Sequence, residues 1–197
     1  MSNTAALATT YGLPQEVVNH FTSLNHFEAT KLINEMAGNH LAQTIDEMVA
    51  QLGLIKAELL KELEPGVHER NLFEIRDGIA DVVFTAFGLA SRGGIDAHSD
   101  YVHPILSNVC KFDTTIEDAE LTKQKYLALE VETIYVEYLL TLASGNVVNF
   151  YVTKVAGNQT GNDGRHYPEG KWLKSHKWVD CQYDPIDAST LPYLHIP

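Results

Sequence analysis

The residues of this 197-residue chain best placed to do chemistry are acids at helical spacing. Glu58 and Glu62 are four positions apart, so on a helix they share one face, one turn above the other. Asp77 and Asp81 repeat that interval, and Glu74 adds a third acid to nearly the same stripe. Asp81 interrupts the apolar run Gly78-Ile79-Ala80-Asp81-Val82-Val83-Phe84, where an unpaired carboxylate costs free energy. Facing carboxylates on antiparallel helices form a hard, oxygen-rich site of the kind Mg²⁺ or Mn²⁺ prefers. Acids at such spacing are also what a solvated helix face carries, so spacing alone leaves both readings open.

These acids must be positioned by helices, and the first half of the chain supplies the pattern. After Pro14, the residues Val17, Val18, Phe21 and Leu24 recur at helical spacing, and Phe27, Leu32, Ile33 and Met36 follow. A longer run from about Leu41 to Leu63 carries Ile45, Met48, Leu52, Ile55 and Leu59 every three or four residues. Pro65-Gly66 should end it, and the next helix should begin near His68 and reach Ala90, closed by Arg92-Gly93-Gly94. So short a turn makes the pair an antiparallel hairpin. A further short helix fits Ser99 to Lys111.

Beyond it the pattern changes to β-branched and aromatic residues. Tyr126 to Ala143, a turn at Ser144-Gly145-Asn146, and Val147 to Val155 read as a β-hairpin, although Leu139 to Leu142 would also suit a helix. Residues 157–170 are rich in Gly, Asn and Asp and read as a loop. The expected fold class is therefore mainly α, an antiparallel helical bundle with a small β-hairpin elaboration. We expect a single domain over 1–197, with a helical catalytic core at 14–113 and a β-containing elaboration at 120–197.

Composition narrows the function. Fourteen Lys+Arg against 26 Asp+Glu give a net charge of −12, which argues against a general nucleic-acid binder. No apolar run approaches the roughly 20 residues of a membrane span, so no membrane partner is expected. The start, Met1-Ser2-Asn3-Thr4-Ala5-Ala6, lacks the pattern of a signal peptide. Cys110 and Cys181 form no CxxC, and a cytoplasmic location is expected.

At the acids the sequence resembles a known group, the all-α nucleoside triphosphate pyrophosphohydrolase superfamily (MazG-like and phosphoribosyl-ATP pyrophosphohydrolase-like), in its phage-type form. Residues 54–63, with Glu58 and Glu62, resemble the first acidic helix of that group. Asp77-Gly78-Ile79-Ala80-Asp81-Val82-Val83-Phe84 followed by Gly88 resembles the second, and Ser107-Asn108-Val109-Cys110-Lys111-Phe112-Asp113 the Asn/Lys segment after it. Tyr167 to Lys174 gives a weaker echo. The chain departs from the ExxE…ExxD signature in having Leu59 for a middle acid and Gly78 for a Glu, with Asp77 as the nearest substitute. Glu74-Ile75-Arg76-Asp77 also reads as ExxD, one turn early.

The resemblance implies hydrolysis of a (deoxy)nucleoside triphosphate to the monophosphate and pyrophosphate, in the cytoplasm of a cell or of a phage host. It implies a homodimer or homotetramer and Mg²⁺ or Mn²⁺ held by Glu58, Glu62, Asp77 and Asp81. Glu58, Glu62 and Asp81 are the expected catalytic residues, and Glu74 is a further ligand or base. The ions would turn repulsion between an acidic helix pair and a triphosphate into attraction. Asn108, Lys111, Lys171 and Lys174 are the candidate substrate-binding residues, with Arg165 as a further cation. Asn19, Asn25, His26 and Phe27 are candidates for base recognition. Gly164 to Lys171 fails as a P-loop, because the spacing is one residue too long and Trp172 stands where Ser or Thr is needed. His98 and His103 belong to no zinc motif. The alternatives are action on another nucleotide, such as a phosphoribosyl-ATP-like compound, and a non-enzymatic helical nucleotide-binding or regulatory protein.

Overall fold

A computed structural model describes residues 4–141, 144–145 and 147–195. The protein is mainly helical with a small antiparallel sheet. It packs as two compact units: Met1–Asp100 with Asp184–Pro197, and Tyr101–Tyr183. Among the described residues no helix is long and apolar enough to cross a membrane.

The first unit contains α1 (Thr4–Tyr11), α2 (Gln15–Ser23), α3 (His26–Met36), α4 (Ile45–Glu58), α5 (Glu64–Glu69), α6 (Leu72–Arg92) and α7 (Ala97–Asp100). The long helix expected from Leu41 begins instead at Ile45. Thr44 caps it by accepting the Glu47 N–H at 3.2 Å, while the Glu47 carboxylate accepts the Gln43 N–H. Leu41 and Ala42 precede the cap and pack with Leu191 and Tyr193 from the end of the chain. Tyr193 is tied down further by donating its hydroxyl hydrogen to the Gly93 carbonyl at 3.0 Å.

Pro65-Gly66 does not end the helical path. A π-helical turn over Leu59–Leu63 joins α4 to α5, and Glu64 N–H reaches back to the Leu59 carbonyl. The widened register falls just before Pro65, the residue that cannot donate, so the chain passes the proline without stopping. The reversal comes later, at Arg70, which adopts a left-handed conformation (φ 56°), and at Asn71. Asn71 caps α6 by accepting from Phe73 N–H and Glu74 N–H, which places the start of α6 at Leu72 rather than near His68.

Three glycines show how closely the hairpin packs. A Cβ on Gly66 would stand 2.9 Å from Glu74 Cβ, and one on Gly88 would stand 2.9 Å from Gln51 Nε2. A Cβ on Gly78 would stand 2.8 Å from Leu63 Cα. Residues 66, 63 and 51 thus face 74, 78 and 88 in antiparallel order. Gly78, which breaks the acidic signature, occupies a point where the backbones touch.

The second unit holds α8 (Val102–Val109), β1 (Phe112–Asp113), α9 (Ile116–Lys125), β2 (Val131–Thr141), β3 (Val147–Val155), β4 (Gln159–Thr160) and β5 (His166–Tyr167). The sheet has the order β1-β3-β2, antiparallel throughout, with Val131 opposite Val155 and Thr141 opposite Val147. The expected hairpin is therefore present, starting at Val131 rather than Tyr126. Leu142, Ala143 and Asn146 lie outside the described residues. The expected helix from Ser99 to Lys111 is two helices, α7 and α8. Helix α9 was not expected, although Thr115 caps it with acids in its first turn and lysines in its last. Its Ala119 and Thr122 are fully buried, and Val152, Thr153, Val155 and Leu173 are buried in the same unit.

Candidate functional site

The acidic hairpin brings three of the candidate residues together. Glu58, Glu62 and Asp81 each offer a carboxylate oxygen, and these three atoms lie within 4.8 Å of one another. All three residues are half-buried. Glu58 ends α4, Glu62 lies in the π-helical turn, and Asp81 lies one turn beyond Gly78 on α6. Because Gly78 lets α6 touch the backbone of Leu63, the neighbouring acids are pressed to carboxylate–carboxylate range.

The electrostatic consequence is seen at Glu62. The Glu58 carboxylate first, then burial, then Asp81 and Asp77, push the Glu62 carboxyl above its usual range. A group of like charges held this close favours either a proton or a cation. The donors are all hard carboxylate oxygens, so the set fits Mg²⁺ or Mn²⁺ better than a soft metal.

Asp77 is exposed and is not one of the trio, although its charge reaches Glu62. Glu74 lines a polar depression beside the trio together with Lys61, Glu62, Gly66 and Asp77. Lys61 was not singled out by sequence reasoning. Its position next to Glu62 on an acid-rich turn was the available signal.

The other candidates divide between local roles. In the first unit, Asn25 caps α3 by accepting the Glu28 N–H at 2.9 Å, and Phe27 is buried with an edge contact to Phe87. Asn19 accepts from the Gln15 side chain at 2.9 Å. His26 lines an apolar groove between α3 and α6 with Ile33, Val83, Phe84 and Phe87. Asn25 and Phe27 therefore serve the fold.

In the second unit, Asn108 sits at the end of α8, donating to the Pro104 carbonyl and accepting from Lys111 Nζ, each at 2.7 Å. Lys171 lies over the Tyr167 ring at 4.9 Å and Lys174 over the Trp178 ring at 3.2 Å. Arg165 is exposed in the turn between β4 and β5. His103 packs edge-on against Tyr183. Both cysteines are free thiols.

A polar knot that sequence reasoning missed anchors this unit. Asp113 is buried and accepts from the Ser175 hydroxyl, and the His176 N–H donates to Thr122 Oγ1 at 3.0 Å. The His176 ring lies between Asp113 (3.7 Å) and Asp118 (3.4 Å). The Lys177 contact, foremost, and that of Thr115 hold the Asp118 carboxyl below its usual range. No family model, curated protein or solved structure matches the chain.

Proposed function

We propose that the protein is a metal-dependent nucleoside triphosphate pyrophosphohydrolase of the all-α helical-bundle type, acting on a (deoxy)nucleoside triphosphate in the cytoplasm. The observation that carries this reading is the convergence of Glu58, Glu62 and Asp81 within 4.8 Å on an antiparallel helical hairpin. Glu58, Glu62 and Asp81 would hold the cation, with Asp77 completing the set. A bound divalent cation would neutralise phosphate charge and polarise the phosphoryl group under attack.

The chain's own residues supply the rest. A carboxylate of the acidic face not committed to the cation, or Glu74 in the adjoining depression, orients the attacking water and takes its proton. Lys111, held by Asn108, and Lys171 and Lys174, all in the second unit, are the candidates for phosphate binding. A second copy of the chain would cover the apolar surface that the acid-bearing helix leaves open. Ile79 is 50% exposed and Val83 46%, on either side of Asp81. A homodimer or homotetramer accounts for such a face.

The test is a panel of the common NTPs and dNTPs with Mg²⁺ and Mn²⁺, scored by product. A monophosphate and pyrophosphate from at least one member is expected. Absence of metal-dependent turnover and of metal-dependent nucleotide binding by calorimetry would contradict the reading.

A further inference from the structure

Helix α8 packs with the wrong side inward for its sequence. A helix turns about 100° per residue, so Ile105, Val109, Val102 and Leu106 fall within one arc of about 100°. His103, Pro104 and Ser107 lie on the opposite side, joined by Cys110 just past the helix end. The packed side is the second one. His103, Pro104, Ser107 and Cys110 are half-buried, whereas the four large apolar residues are each 46–55% exposed. No residue of α8 is buried. An amphipathic helix whose packing is complete does the reverse.

The apolar stripe is widened by neighbouring chain. Residues 179–183 run beside α8 in the opposite direction. Ser107 donates its hydroxyl hydrogen to the Val179 carbonyl at 3.0 Å, and the His103 and Tyr183 rings meet edge-on at 5.2 Å. Val179 and Tyr183 are themselves exposed, as is Tyr101 at the start of the helix. Together these residues expose on the order of 700 Å², above the roughly 300–600 Å² of the largest patch on an ordinary monomer and near the roughly 800 Å² that each partner gives a standard interface.

Charge selects the partner. Each copy carries −12, so two copies repel wherever their acids meet. Val102–Val109 contains no Asp, Glu, Lys or Arg. The ends of this uncharged stretch differ in sign, because Asp100 precedes Tyr101 and Lys111 follows Cys110. Two α8 helices meeting antiparallel set the acidic end of each beside the basic end of the other, and their dipoles are opposed as well. A parallel meeting would set like ends together. The antiparallel contact is self-complementary, as a twofold interface requires.

We propose that the α8 stripe is a contact between two copies of this chain, paired antiparallel about a twofold axis near Ile105 and Leu106. The inference does not rest on the function proposed above, and it concerns a different helix from the α6 face.

The test is sedimentation of the full-length protein at micromolar concentration, alone and as Leu106→Asp. Leu106 is exposed, so the variant should fold, and circular dichroism checks that it does. Its mass should fall from dimer to monomer, or from tetramer to dimer where the α6 face also pairs copies. Ile79→Glu on α6 should leave the α8 contact intact, so failure of one face is distinguishable from failure of the other. A second measurement uses disulfide trapping under mild oxidation, with Cys110 and Cys181, both free thiols, replaced by Ser. Leu106→Cys should link to itself in a second copy. Val102→Cys should not, but a mixture of Val102→Cys and Val109→Cys should give the mixed dimer. A monomeric original protein, or a mass unchanged in folded Leu106→Asp, overturns the inference. Self-linking of Val102→Cys as efficient as that of Leu106→Cys overturns the antiparallel arrangement.

Discussion

Gly78 and Leu63 meet backbone to backbone: a Cβ on Gly78 would stand 2.8 Å from both the Cα and the N of Leu63. That contact sets the spacing of the acidic hairpin, because Glu62 and Asp81 flank it on the two sides. Gly78→Ala must push the helices apart or bend one of them, at a cost of about 1–3 kcal/mol, the scale of overpacking. Chemical denaturation should show that loss, and Mn²⁺ affinity should fall with it. An unchanged midpoint and unchanged metal affinity would show that the close approach does not position the acids.

The crowded Glu62 carboxyl gives a pH signature. Its folded value is raised, chiefly by Glu58, so the native protein holds this proton more tightly than the unfolded chain does. Stability of the metal-free protein should therefore fall as pH rises from the ordinary carboxylate range through the raised value. Glu62→Gln should flatten that slope and raise Tm at neutral pH in EDTA. Mg²⁺ should raise the Tm of the original protein and leave that of Glu62→Gln nearly unmoved. Parallel pH profiles for the two proteins would remove the like-charge argument.

Ser175 donates its hydroxyl hydrogen to the buried Asp113, whose other carboxylate oxygen has no hydrogen-bond partner among the described residues. Ser175→Ala deprives the carboxylate of that hydrogen bond and should destabilise the second unit by about 1–3 kcal/mol. Hydrogen exchange of the β1 and β3 amides would register it. Exchange confined to wild-type rates would show that the knot is not what holds the segment.

Lys111 is presented by the end of α8 with its ammonium donating to Asn108 Oδ1. If it meets substrate phosphate, Lys111→Ala should lower kcat/KM by roughly ten- to a thousandfold, the scale of one lost charge-assisted contact. Full activity in that variant would reassign Lys111 to a purely local role with Asn108.

The sequence made the acidic pairs legible because helical spacing alone aligns residues four apart, and the apolar run around Asp81 marked it as unusual. The hairpin was legible too, but its turn was misplaced. Pro65 and Gly66 carry the strongest breaking propensities, yet the π-helical turn over Leu59–Leu63 carries the chain past them, and nothing in local propensity announces a π register. Gly78 looked like a gap in a motif, whereas its cause is a contact with Leu63, distant in sequence. Helix α9 was missed although Thr115 and its charged ends give capping signals, because few of its residues are large and apolar. The Asp113–Ser175 and His176–Thr122 contacts join residues more than fifty positions apart, which periodicity cannot report.

In the function we propose, the acids direct a divalent cation to cleavage between the α and β phosphates. The most direct measurement is ³¹P NMR of the products formed from the best substrate in ¹⁸O-water with Mg²⁺, for the original protein and for Asp81→Asn. A monophosphate carrying the label, unlabelled pyrophosphate, and no turnover in EDTA or in Asp81→Asn are expected. Orthophosphate as the primary product, or undiminished turnover in EDTA or in Asp81→Asn, would contradict it.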